Sequence, residues 1–123
     1  RPRPESISRT WKGRKERNML EVNKDTFEAE VLQAEGFVLC DFFGDGCVPC
    51  EALMPHIHRF ADVYGDRMKF VSINTSKARR LAISQKVLGL PTIVLYKDGE
   101  KVKALIKDDA TPANVEAMIQ AHL

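Results

Sequence analysis

The segment Phe37–Phe43 reads FVLCDFF and is apolar at every position except Asp41. A half-buried strand alternates between apolar and polar residues, whereas this segment shows no such alternation. An unbroken apolar run is expected for a strand that is covered on both faces. The segment therefore predicts the central strand of a sheet with helices packed on both sides, and it places one acidic residue inside that core.

Turn and cap signals place the other elements around this strand. Asp98-Gly99 is a strong hairpin signal, so the strands on either side of it are expected to pair antiparallel. The stretch 25–28 (DTFE) resembles a capping box that begins a helix, and Gly36 is expected to close that helix. Thr111-Pro112 has the pattern of an N-cap followed by a proline at the first helical position.

These signals predict one α/β domain with the order β-α-β-α-β-α-β-β-α, in which a mixed central β-sheet is flanked by helices. The expected strands are Met19–Val22, Phe37–Phe43, Lys69–Ile73, Thr92–Tyr96 and Val102–Ile106. The second and third helices are expected over Cys47–Tyr64 and Ala78–Val87, and Pro55 should kink the second. The apolar faces expected on the second and last helices comprise Leu53, Ile57, Phe60, Ala61, Tyr64, Val115, Met118 and Ile119.

The chain has 123 residues, which fits one domain, and no apolar run approaches the roughly 18 residues that a membrane-spanning helix needs. Its net charge of +2 is unevenly distributed. Residues 1–18 hold seven Lys or Arg and two Glu, a net of +5, so residues 19–123 sum to −3. We expect residues 1–18 to be a flexible basic tail on a domain of residues 19–123. The alternative is a docking arm for an acidic partner, RNA or an anionic membrane.

Two of the three cysteines, Cys47 and Cys50, are separated by two residues. A disulfide closing so small a loop would stabilise the fold by roughly 2 kcal/mol at most, so stapling is a poor reason for the pair. A zinc site usually needs four Cys or His ligands. Cys40 is expected in the core, and His56 and His58 are expected to be exposed and to face apart on a helix. A reversible redox pair in a reducing compartment, and so a cytoplasmic protein, fits better.

The position of the cysteine pair favours thiol chemistry. Cys47 is expected at the N-terminus of a helix, whose free N–H groups and dipole stabilise a thiolate and lower its pKa. Cys50, one turn further on, should be more shielded and must lose a proton before it can attack a mixed disulfide. Burial should raise the pKa of Asp41, which can then accept that proton near neutral pH. In the alternative interpretation, Asp41 bonds only backbone or water and fixes the end of the strand.

Together these features resemble the thioredoxin family over about residues 19–123. The matching segments are Val38–Phe42, Cys47–Cys50, Pro55, Leu90–Thr92 and Lys97–Gly99. The resemblance implies a thioredoxin fold and a monomeric thiol–disulfide oxidoreductase that reduces protein disulfides, binds no cofactor or metal, and receives its electrons from a reductase. The alternative functions are a disulfide oxidant or isomerase, and a binding module that docks through the basic tail.

The resemblance also implies a role for each residue of the site. Cys47 is the attacking cysteine, Cys50 is the resolving cysteine, and Asp41 is the buried acid–base group, with a reversible disulfide joining Cys47 to Cys50. Pro91 is expected to follow a cis peptide bond beside the disulfide, and the backbone of Leu90 is expected to pair with the substrate chain. The residues expected to contact substrate are Gly46, Val48, Pro49, Leu90 and Pro91.

The chain departs from the usual family pattern around this site. The departing positions are Phe43, Gly46, Val48, Glu51, Ser72 and Lys107. Phe43 and Gly46 stand where tryptophans are usual, so the rim of the site should be more open. Glu51 and Ser72 stand where lysines are usual, and this loss of positive charge should raise the pKa values of the cysteines and of Asp41. We therefore expect an active reductase with an altered choice of partners.

Overall fold

The computed structural model describes residues 19–123, so the predicted tail of residues 1–18 lies outside the described residues. Five strands form one mixed sheet in the order β1-β3-β2-β4-β5. They are β1 (Met19–Val22), β2 (Phe37–Phe43), β3 (Lys69–Asn74), β4 (Thr92–Lys97) and β5 (Glu100–Ile106). Strands β1, β2 and β3 are parallel, whereas β4 pairs antiparallel with both β2 and β5. The predicted mixed central sheet is confirmed.

Within residues 19–123, four helices connect or follow these strands in the predicted order. They are α1 (Glu28–Leu32), α2 (Val48–Tyr64), α3 (Arg79–Ser84) and α4 (Pro112–Ala121). Short 3-10 turns occupy Thr75–Lys77 and Lys107–Asp109. Among the described residues, no helix has both the length and the apolar content needed to traverse a bilayer.

Strand β2 lies at the centre of the sheet and is covered on both faces, as its apolar sequence predicted. On one face, Leu39 packs in a core with residues of α2 and α4, among them Leu53 and Val115. On the other face, Cys40 packs with residues near α1 and α3, including Ala82. Cys40 is fully buried, so its predicted role as a core residue is confirmed.

The predicted core faces of α2 and α4 are confirmed. Every residue expected on these faces is buried: Leu53, Ile57, Phe60, Ala61, Tyr64, Val115, Met118 and Ile119. Helix α4 begins as predicted, because the Thr111 side-chain oxygen accepts a hydrogen bond from the backbone N–H of Asn114 at 3.1 Å. Pro55 lies inside α2, as expected.

The predicted boundaries of α1 are wrong at both ends. Its entry is capped by Asn23, whose Oδ1 accepts backbone hydrogen bonds from Asp25 (2.8 Å) and Thr26 (3.0 Å). The helix is a single π-turn that ends near Gln33, whose N–H donates to the carbonyl of Glu28 at 2.8 Å. Gly36 therefore does not close it. Instead, Gly36 precedes β2 and exchanges hydrogen bonds with Asp98, which lies 62 residues further on in the β4–β5 turn.

Helix α3 is shorter than the predicted Ala78–Val87. The chain leaves β3 through the 3-10 turn Thr75–Lys77, and regular α-helix spans only Arg79–Ser84. Lys86 adopts a φ of +64°, which takes the backbone out of the helical conformation. The apolar pattern of this segment did not distinguish helix from the turns at its two ends.

The β4–β5 turn supplies a stability prediction. Gly99 has a φ of +86°, and a Cβ placed on it would clash with the backbone oxygen of Leu32. We expect Gly99→Ala to lower the free energy of unfolding by about 2–3 kcal/mol, measured by urea denaturation. Gly36→Ala is the matched control, because Gly36 has a similar φ of +81° but no atom within 4 Å of that Cβ. It should cost only about 1 kcal/mol, and equal losses would contradict the role of the clash.

Candidate active site

The cysteine pair lies at the junction between the central strand and helix α2. Cys47 is the N-cap residue of α2, and its Sγ accepts a hydrogen bond from the backbone N–H of Cys50 at 3.2 Å. A disulfide joins the two residues, with their Cα atoms 5.2 Å apart. Cys47 is half-buried, whereas Cys50 is only 3% exposed. An attacking reagent therefore meets Cys47 first.

The loop before Cys47 is held by the segment that follows β3. The N–H of Asp45 donates to the hydroxyl of Ser76 at 2.9 Å, and the side-chain amide of Asn74 donates to Asp45 Oδ1 at 3.0 Å. The Thr75 hydroxyl donates to the carbonyl of Phe43 at 2.9 Å. We call residues 74–76 the loop anchor. This contact was not predicted from the sequence, although an Asn-Thr-Ser run at the end of a strand is a signal for side-chain bonding to nearby backbone.

Asp41 lies on the face of the sheet that helix α2 covers, and Cys50 belongs to the first turn of that helix. Because side chains alternate along a strand, Asp41 points to the same face as Leu39, which packs against α2. Cys50 lies one turn before Leu53, which belongs to that same packed cluster. The chain reverses direction between β2 and α2, so the C-terminal end of β2 lies beside the first turn of α2. Asp41 and Cys50 are therefore buried on the same side of the sheet.

The Asp41 carboxyl group is isolated from polar partners. It is 1% exposed, and neither of its oxygens has a hydrogen-bond partner among residues 19–123. Burial raises its pKa from 3.8 to about 7, because the charged form is poorly solvated there. Its neighbours across the sheet are Ser72 on β3 and Ile93 on β4. Ser72 thus lies beside the carboxyl group, as the sequence comparison with the family pattern predicted.

The segment before β4 approaches the same loop. The peptide bond between Leu90 and Pro91 is cis, as predicted, and Pro91 is buried. A Cβ placed on Gly44 would stand 2.8 Å from Leu90 Cδ1, so the two loops are in close contact. The carbonyl of Pro91 accepts a hydrogen bond from the N–H of Lys107 at 2.8 Å. The backbone of Leu90 forms no hydrogen bond within the described part of the chain, which leaves it available to another chain.

The outer rim of the site is apolar and open. Val48, which follows Cys47, is 72% exposed. Pro49 is exposed beside Val48, and Gly46, with a φ of +71°, has no atom within 4 Å of the position of a Cβ. The space beside Gly46 is therefore open, and the greater openness relative to the family pattern stays a prediction.

The two histidines of α2 are less exposed than predicted. His56 and His58 are half-buried rather than exposed, because they flank the packed face of the helix. His56 Nδ1 lies 3.0 Å from a guanidinium nitrogen of Arg59, whereas His58 lines a groove beside the cysteines. Within residues 19–123, no group of three or more His, Cys, Asp or Glu side chains is placed to hold a metal ion.

Comparison with known proteins gives a consistent result. The family model described as thioredoxin matches residues 18–121. The chain is 57% identical over 105 residues to the protein named thioredoxin from Acetoanaerobium sticklandii, a match that covers 85% of this chain and 100% of that protein. It is 59% identical over 105 residues to thioredoxin from Peptoclostridium acidaminophilum, covering 85% and 96% of the two chains. The chloroplastic M-type thioredoxin of Chlamydomonas reinhardtii is 35% identical over 85 residues, covering 69% and 61%.

Proposed function

Because the chain belongs to the thioredoxin family and is a thiol–disulfide oxidoreductase that reduces protein disulfides, we propose that Cys47 attacks the substrate, Cys50 resolves the intermediate, and Asp41 exchanges the proton of Cys50. One observation carries this assignment of roles. Cys47 is the more accessible cysteine and caps α2, while Cys50 and Asp41 are buried on the same side of the sheet.

The reaction proceeds in two exchanges. The Cys47 thiolate attacks one sulfur of the substrate disulfide, which forms a mixed disulfide and releases the other substrate sulfur as a thiolate that takes up a proton. Cys50 then loses its proton, and its thiolate attacks Cys47 Sγ. This second exchange forms the Cys47–Cys50 disulfide and releases the second substrate thiol. Overall, the substrate disulfide is reduced to two thiols and the protein dithiol is oxidised to a disulfide.

The N-terminus of α2 supports the first exchange. The Cys50 N–H already points at Cys47 Sγ, and a backbone N–H at a helix N-terminus stabilises a negatively charged sulfur better than a neutral thiol. Glu51 in the same turn opposes this effect, because its negative charge disfavours a nearby thiolate. Cys47 is therefore expected to be a moderately activated nucleophile.

Asp41 supports the second exchange. A carboxyl group with a pKa of about 7 is a competent base at neutral pH and can also return the proton when the disulfide is reduced again. A carboxyl group that is 1% exposed is unusual without a hydrogen-bond partner. The Asp41 oxygens accept no backbone hydrogen bond within residues 19–123, so a structural role through such a bond gains no support. The raised pKa of this isolated carboxyl group instead favours a role in proton transfer.

The substrate is proposed to lie across the outer rim. The unpaired backbone of Leu90 can pair with an extended substrate chain, beside Pro91 and the close contact with the active-site loop. Val48, Pro49 and Gly46 offer the opposite edge of this surface. The electron donor is proposed to be a thioredoxin reductase. The protein is proposed to act as a monomer, since the chemistry needs only the cysteines of one chain. Its proposed location is the cytoplasm, a reducing compartment that suits a reversible cysteine pair. The contribution of residues 1–18 to docking stays a prediction.

Reduction of a model protein disulfide tests the function directly. With dithiothreitol as electron donor, we expect the protein to accelerate reduction by at least about tenfold over dithiothreitol alone, because a pre-organised dithiol with an activated thiolate exchanges faster than a free one. A parallel assay with NADPH and a thioredoxin reductase tests the proposed donor. A redox potential far more oxidising than that of glutathione, measured by equilibration, would instead favour a disulfide oxidant.

A further inference from the structure

A groove beside the cysteine pair borders the proposed substrate rim at Gly46 and extends away from Leu90 and Pro91. It has a volume of about 490 Å³, and no residue of the segment Leu88–Pro91 lines it. The lining residues are Phe43, Gly44, Asp45, Gly46, Cys50, Glu51, Met54, Pro55 and His58. The groove thus begins at the active-site loop and runs along the first turns of α2, so a side chain within it would lie next to the reacting sulfurs.

The groove combines an apolar lining with acidic side chains. Phe43, Met54 and Pro55 provide the apolar contacts, and Asp45 and Glu51 provide two carboxylates. Among residues 19–123, neither Lys nor Arg lines the groove, and His58 is the one basic residue that does. Such a lining is complementary to a side chain with an apolar stem and a positively charged end.

Both carboxylates are exposed at the protein surface. Asp45 is exposed and held in place by the loop anchor, and Glu51 is exposed in the first turn of α2, where the helix dipole favours a negative charge. Within residues 19–123, neither forms an ion pair with Lys or Arg. Their charges are therefore not neutralised by Lys or Arg within residues 19–123, and an incoming cation would meet two carboxylates that lack a cationic partner there.

We propose that this groove receives a Lys or Arg side chain of the substrate protein, located within a few residues of the disulfide that is reduced. The stem of the side chain packs on Met54 and Pro55, its charged end lies near Glu51 and Asp45, and the Phe43 ring adds a cation–π contact. Gly46 leaves the entrance open because it has no side chain. This inference rests on the proposed function and specifies which disulfides that function selects.

Charge-swapped peptide substrates test the groove. A set of disulfide peptides would carry Lys, norleucine or Glu at one of the two positions before or after the cysteine, and kcat/KM would be measured for each. We expect the wild-type protein to prefer the best Lys peptide over its Glu counterpart by about fivefold to tenfold, since each weakly screened charge pair contributes a few tenths of a kcal/mol to 1 kcal/mol. Added salt should reduce this preference.

Two substitutions at Glu51 assign the preference to the groove. Glu51→Gln should roughly halve the Lys-to-Glu ratio, and Glu51→Lys should remove or invert it. Because each ratio compares peptides on one variant, any change in thiol reactivity cancels. Glu100→Gln is the matched control, because Glu100 is an exposed acidic residue at the start of β5 that does not line the groove, and it should leave the ratio unchanged.

Several outcomes would overturn the inference. Equal kcat/KM values for all three peptides, a preference for norleucine over Lys, or a Lys preference that survives Glu51→Lys would each show that the groove does not select cations. These results are distinct from failure of the proposed function, which would appear as no reduction of any peptide by the wild-type protein.

Discussion

Replacing Cys47 with Ser is expected to abolish protein-disulfide reduction, lowering turnover by more than about 1000-fold, because the attacking sulfur is lost and a serine hydroxyl is not ionised near neutral pH. Cys47 is the more accessible member of the pair and caps α2, so no other described cysteine can take its place. The measurement is the dithiothreitol-driven reduction of a model protein. Substantial activity in this variant would contradict the assigned nucleophile, and biological function that survives it would favour a binding module.

Replacing Cys50 with Ser should have a different outcome. Cys47 can still attack, but nothing resolves the intermediate, so the variant should accumulate a mixed disulfide with its substrate, which mass spectrometry detects. Cys40→Ala is the matched control, because Cys40 is a free cysteine buried on the opposite face of the sheet, and this variant should remain active. A trapped adduct on Cys50 in the Cys47→Ser variant, and none on Cys47, would reverse the two roles.

Replacing Asp41 with Asn should stabilise the disulfide form of the protein at alkaline pH by about 4 kcal/mol. The shift in pKa from 3.8 to about 7 spans roughly three units, and each unit corresponds to about 1.4 kcal/mol. Above pH 8 the wild-type protein must maintain a buried carboxylate without hydrogen-bond partners, whereas the amide of Asn carries no charge. Urea unfolding at several pH values measures the difference.

The difference in the free energy of unfolding between Asp41→Asn and the wild-type protein should grow as pH rises from about 4 to about 7. Below about pH 4, Asp41 is protonated in both the folded and the unfolded protein, so the two proteins should differ little. Between the unfolded pKa of 3.8 and the folded pKa of about 7, the native state keeps a proton that the unfolded state releases, so the free energy of unfolding of the wild-type protein falls as pH rises. Above pH 7 the difference should be constant.

A control and a second measurement separate this effect from surface charge. Asp108→Asn removes the charge of an exposed carboxyl group and should change the free energy of unfolding much less than Asp41→Asn does at alkaline pH. Asp41→Asn should also slow the resolution of the mixed disulfide, by about 10–100-fold at neutral pH, because the base is missing. A stability difference that does not vary with pH would contradict the raised pKa, and unchanged resolution kinetics would contradict the proton-transfer role.

The sequence predicted the elements whose signals are local and strong. The apolar segment Phe37–Phe43 identified the central strand, Asp98-Gly99 identified the hairpin, and Thr111 identified the cap of the last helix. Each of these features depends on a few adjacent residues whose conformational preferences agree with the final fold. The position of Cys47 at the start of α2 was predictable for the same reason.

The features that the sequence did not reveal depend on competition between neighbouring capping side chains or on contacts between residues far apart in the sequence. In the stretch 23–26 (NKDT), several short polar side chains can cap a helix, and Asn23 takes the place that was expected of Asp25. The role of Gly36 depends on Asp98, 62 residues away, and that of Asp45 depends on Ser76, 31 residues away. The groove beside the cysteines likewise requires the relative placement of the loop and α2, which no local pattern specifies.

The loop anchor has a consequence for anyone who transplants active-site sequences between related proteins. The hydrogen bonds that Asp45 forms with Asn74 and Ser76 fix the loop immediately before Cys47, although both partners lie at the end of a separate strand. A chimera that exchanges only residues 44–50 would separate the imported motif from the partners that shape it. Residues 44–50 and 74–76 therefore form one structural unit, and both segments should be exchanged together.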